Sequence, residues 1–207
     1  MVTSNAFHER FVPQKRGGSE NNNMKNQLLL KLVVVALIVS VSLNIVSYAN
    51  YMQSKTNFMN QAYSNLLGIV ISLDGLSRGD VSPGDAESLM SSLEDICIRM
   101  DETLAATTFV SSAYGFADFE HISQWKIVYG EENGYDWNEI TDYAERWSER
   151  LMILLQELSK NGELSYSESN VMQQNPNYFM SARNINRIFN VYFEEIEKEI
   201  TDELQGW

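Results

Sequence analysis

One cysteine, three prolines and two histidines in 207 residues leave several chemistries out. With Cys97 alone, no intramolecular disulfide can form, and no cysteine directly follows the apolar stretch to take a lipoprotein-type acyl chain. His121 is the only histidine after His8, and no Glu-x-x-His pair occurs, so the usual His-rich zinc or di-iron site cannot be assembled. Asp118, Glu120 and His121 are therefore read as a solvated polar face, and neither metal nor cofactor is expected. A Ser-His-acid set would also have to use His121. No Asn-x-Ser/Thr sequon is present, which fits a bacterial exported chain better than a eukaryotic one. Cations are scarce after the first thirty-one residues. Residues 1–31 carry 5 Lys and Arg against 2 acids, whereas residues 32–207 carry 10 against 26. So acidic a segment would repel nucleic acid and anionic headgroups, and no nucleic-acid partner is expected.

What is present is a run from Leu28 to Ala49 whose only charge is Lys31. Twenty-two residues make a helix of roughly 33 Å, enough to cross a hydrocarbon core of about 30 Å. Arg10, Lys15, Arg16 and Lys25 precede it, and within about twenty residues after it only Lys55 follows. The expected layout is a disordered cytoplasmic tail over 1–27, a transmembrane signal anchor over 28–49 and an extracytoplasmic domain over 50–207. The chain would thus be a single-pass protein of the cytoplasmic membrane with its N-terminus inside. Two features compete with the anchor. Ser47-Tyr48-Ala49 is a small-x-small cleavage pattern, and a translation start at Met24 would give a short basic leader. The length of the apolar run decides for the anchor.

Past the span, Met59, Ala62, Leu66, Ile69, Leu73 and Leu76 alternate 3 and 4 apart, a heptad seam of coiled-coil type. Beside it runs a stripe of small residues, Ser64, Gly68, Ser72 and Gly75. Small side chains admit a bulky neighbour from the same domain or another backbone, so Gly68, Ser72 and Gly75 are the candidate interaction face. Ser82-Pro83-x-Asp85 has capping-box logic and opens a helix with Ala86, Leu89, Leu93, Ile96, Met100, Thr103, Thr107 and Val110 on one face. Cys97 and Leu104 flank that face, which makes Cys97 a small buried hydrophobe. Tyr114 to Tyr129 reads as a shorter aromatic helix burying Phe116, Phe119, Ile122, Trp125 and Tyr129. Asp136 to Glu139 is a second capping box, before a seam of Trp137, Ile140, Ala144, Trp147, Leu151, Leu154 and Leu158 that stops at Lys160-Asn161-Gly162. Ser165-x-x-Glu168 is read as capping one short helix. Asn175-Pro176 is read as opening the last long helix, which carries Ala182, Ile185, Ile188, Phe189, Tyr192, Phe193, Ile196, Ile200 and Leu204. Its acids, Glu194, Glu195, Glu197, Glu199, Asp202 and Glu203, are read as a solvated face.

The fold expected is all-α: one membrane helix, then an antiparallel bundle of four to five helices. In outline this layout is similar to bacterial sensor domains, a likeness that assigns no residue a role. The function expected is a membrane-tethered extracytoplasmic interaction or scaffold module, with a protein partner or self-association and no catalytic chemistry identified. The alternatives are a small-molecule-binding, sensor-like bundle and an envelope-acting hydrolase using carboxylates.

Overall fold

The computed structural model describes residues 18–78, 83–111, 115–130, 132, 134, 136–166, 172–173 and 175–205. It is all-helical, with five helices: α1 Gly18–Ser77, α2 Pro83–Ala105, α3 Gly115–Ile127, α4 Trp137–Leu158 and α5 Ala182–Gln205. Extended pairing among the described residues is confined to a two-residue ladder, β1 Ser165–Tyr166 against β2 Met172–Gln173, and one isolated bridge. The chain divides into two compact units, Met1–Asn50 and Tyr51–Trp207.

In the first unit, residues 18–50 are helical. Of the segment 1–27 expected as a disordered tail, residues 18–27 are helix, and residues 1–17 lie outside the described residues. A helix is costly to start and cheap to extend, and no proline stands between Pro13 and Pro83 to stop the apolar segment propagating backwards.

The second unit is built on one apolar core. Every residue of the seam from Met59 to Leu76 is buried, as are Leu93, Cys97 and Met100 of α2, Phe116 and Phe119 of α3, Leu151 and Leu154 of α4, and Ile185 and Phe189 of α5. A large apolar side chain buried in this way contributes about 1.5–3 kcal/mol before chain entropy is charged against it. Trp147 is fully buried against Phe119, ring centroids 4.9 Å apart. Tyr143 and Leu155 are buried beside the α4 seam, widening its apolar stripe.

Four boundaries differ from the sequence reading. α2 ends at Ala105, before Thr107 and Val110. There the Thr107 hydroxyl accepts from Phe109 N at 3.2 Å, a local turn that competes with helix continuation. Val110 is buried nonetheless. Tyr129 is exposed, because α3 stops two residues earlier at Ile127. The short helix expected from Ser165 is instead the β1–β2 pairing. Pro176 opens no helix. It bridges to Ser159, with Lys160 N donating to Asn175 O and Asn177 N to Leu158 O, both at 2.8 Å. The start of α5 falls at Ser181, whose hydroxyl accepts from Asn184 N at 3.2 Å. The Ser82 cap and Leu204 side chain fall outside what is described.

Candidate functional site

The small-residue stripe meets α2. A Cβ at Gly68 would stand 3.0 Å from Ile96 Cδ1, and one at Gly75 would stand 3.8 Å from Leu89 Cδ1. Ser72 is buried and returns its hydroxyl to Gly68 O at 3.0 Å, while Ser64 is exposed. The string Gly75-Leu76-Ser77-Arg78-Gly79 also has the Gly-x-Ser-x-Gly form of a nucleophile elbow. That motif needs a strand-to-helix turn, whereas Ser77 ends a helix and donates to Asp74 O at 2.9 Å.

A more unusual arrangement lies between α2 and α3. Asp101 is buried, and its two oxygens accept from Phe116 N at 3.1 Å and Ala117 N at 2.7 Å, so it caps α3 from another helix. Burial outweighs those two bonds and pushes its carboxyl up to about 6, with Asp118 adding repulsion. Glu120, expected on a solvated face, is buried as well. Its carboxyl is also raised, first by burial and then by Glu94, against a lowering contribution from His121, whose Nδ1 stands 3.5 Å away and whose side chain is exposed. Cys97 is fully buried, and burial, with Glu120 and Asp101 nearby, holds its thiol well above the usual range. It is therefore an unreactive packing group rather than a nucleophile. Ser123, one helical turn after Phe119, donates to Phe119 O at 2.8 Å and bonds the Tyr143 hydroxyl at 3.1 Å.

Part of the acidic face of α5 is engaged rather than solvated. Arg146 reaches Glu199 at 2.6 Å, Lys126 at 3.7 Å and Arg150 at 4.0 Å, while Arg150 also lies 3.9 Å from Glu195. The same cations lie over rings, Lys126 and Arg146 over Tyr143 and Arg150 over Trp147. An adjoining cleft of about 250 Å3 is lined by Lys126, Glu139, Ile140, Asp142, Tyr143 and Arg146. Three of its polar groups are committed elsewhere: Glu139 closes the α4 capping box, Arg146 holds Glu199 and Tyr143 bonds Ser123. Among the described residues, no group of three or more His, Cys, Asp or Glu is arranged to hold a metal ion.

In the first unit the notable feature is apolar. Fifteen large apolar side chains from Leu28 to Tyr48 are exposed at 47–65 %. This helix is long and apolar enough to cross a membrane. A search against protein families, characterised proteins and solved structures found no match.

Proposed function

We propose that this chain is a membrane-tethered helical interaction module. Leu28 to Ala49 crosses the cytoplasmic membrane once with the N-terminus inside, and residues 50–207 form an antiparallel helical bundle outside that binds a protein partner. The observation that carries the tether is the apolar surface of residues 28–48, which is apolar on every side and stays unburied. The antiparallel arrangement is supported by two contacts between α1 and α4, Tyr63 Oη to Ser159 Oγ at 3.0 Å and Ser148 Oγ to Val70 O at 3.5 Å: partners later in one helix meet partners earlier in the other. Interaction is favoured over catalysis because the buried ionisable groups serve structure, with Asp101 holding a helix end and Cys97 kept as a thiol. The contacts of Ile96 on Gly68 and Leu89 on Gly75 support an internal role for the small-residue stripe.

The test is crosslinking in intact cells, then carbonate washing, purification and mass spectrometry. Recovery in the membrane pellet with peptides from before Leu28 and one stoichiometric protein partner is expected. A soluble mature chain starting at Asn50 would overturn the tether and leave a secreted bundle. Retention of an envelope glycan in place of a protein would favour the enzyme reading.

A further inference from the structure

Charge is unevenly placed along the second unit. Segments 51–58, 106–111 and 175–193 come together in space. The Tyr51 and Phe109 rings meet at 5.6 Å, Phe58 touches both Phe109 and Phe189, and Ser111 N donates to Asn186 Oδ1 at 2.7 Å. Between them these segments hold Lys55, Arg183 and Arg187 and no Asp or Glu, whereas the rest of residues 51–207 holds 26 carboxylates against 7 cations. Arg183 and Arg187 are exposed on the first turns of α5, and neither forms an ion pair among the described residues.

The same end presents aromatic rings to solvent. Phe179 is 83 % exposed and Tyr51 is 41 % exposed. Phe179 sits on an anchored turn. Lys55, itself buried, donates from Nζ to Met180 O at 3.3 Å, and the Tyr178 hydroxyl donates to Asn60 Oδ1 at 2.6 Å. Exposed guanidinium groups outside any ion pair among the described residues, beside exposed rings, are the chemistry that suits a lipid headgroup layer. In the sequence, Tyr51 is two residues past Ala49 and Lys55 six residues past it.

We propose that this end of the second unit, carrying Tyr51, Phe179, Arg183 and Arg187, is a lipid-contacting surface that rests on an anionic bilayer. The inference depends on the single-span reading above. The strongly negative total conceals a local reversal of sign, so the domain that anionic headgroups repel as a whole is held against them at one end.

The test uses the full chain reconstituted in phosphatidylglycerol vesicles containing headgroup spin-labelled lipid. A polarity-sensitive fluorophore is attached through Asn184→Cys, with Ser92→Cys on α2 as the distant control, both positions being exposed. Native Cys97 is retained, and the unsubstituted chain serves as the labelling blank. Quenching at position 184 should exceed that at 92 by about threefold or more, since contact quenching falls off within a few ångströms and the attraction within a Debye length. Arg183→Glu with Arg187→Glu should bring it down towards the control, and phosphatidylcholine vesicles should weaken it. Equal quenching at both positions in chains that float with the vesicles would overturn the lipid-contacting surface. Chains that do not float would overturn the span on which it rests. Quenching at 184 that the paired arginine substitutions leave unchanged would overturn the assignment to these side chains.

Discussion

Helices α3 and α4 begin with the same chemistry, a carboxylate accepting N–H groups of the first turn, but the carboxylates come from different places. Asp136 immediately precedes α4, is exposed, and closes a reciprocal box with Glu139, at 2.9 Å and 2.8 Å. Asp101 lies on α2, is buried, and reaches across to Phe116 and Ala117. At α4 the cap is local and water can replace it. At α3 it is also a tertiary tie, and one of the N–H groups it serves, that of Phe116, is buried away from solvent.

The largest expected effect comes from cutting that tie. Asp101→Ala leaves the Phe116 and Ala117 N–H groups without their acceptor, one of them in a fully buried residue. The cost should be about 2–4 kcal/mol, the sum of two lost hydrogen bonds and an orphaned donor. Denaturant unfolding in detergent at pH 5 checks it. A cost below about 1 kcal/mol would mean that the tie is no stronger than an ordinary surface cap, and the contrast between the two helices would disappear.

A second way to sharpen the contrast is pH. Asp101 is raised in the folded chain to about 6, so its protonated form is favoured there over the unfolded state. The associated stability is fully present below the ordinary carboxylate range and is lost as pH rises through about 6. Glu120, raised in the same direction, adds to the trend. Between pH 4 and pH 6.5 the unsubstituted chain should lose on the order of 1–2 kcal/mol more than Asp101→Asn, which cannot titrate. Parallel pH curves for the two chains would show that the buried carboxylate carries no proton linkage.

The contrast also explains which parts of the structure were legible in the sequence. The Met59–Leu76 seam and the 137–158 helix are written in spacings of 3 and 4 and in caps a few residues long, so local reading finds them. The Asp101 cap joins positions fifteen residues apart with no periodic signature. Glu120 looked solvated because an acid beside a histidine on a short helix gives no sign of the helix packed over it. Pro176 misled for a related reason: Asn-Pro resembles a helix opening, but the backbone there is claimed by Leu158 and Lys160 across the chain. Ser181, four residues before the first buried residue of α5, was the local signal that could have placed that helix correctly. The exposed rings at the Tyr51 end, and the arginines that form no ion pair among the described residues, come from two segments far apart in sequence, and only folding brings them together.

The smallest expected effect is on the α4 side. Asp136→Ala removes the acceptor for Glu139 N, but that N–H is exposed and takes water in exchange, so the loss is that of an ordinary N-cap, about 1 kcal/mol. Part of the box survives the change, since Glu139 Oε2 still accepts from the backbone N–H of residue 136, a bond that does not depend on the side chain there. The helix also stays anchored by Ile140, Ala144, Trp147 and Leu151, all buried well past the cap. Asp136→Asn, which keeps an acceptor oxygen, should recover most of the loss. The measurement is the shift in urea midpoint at unchanged slope, compared with that of Asp101→Ala under the same conditions. Equal shifts would mean that α4 depends on its first turn as heavily as α3 does, and that the exposure of Asp136 is a poor guide to how far water can stand in for it.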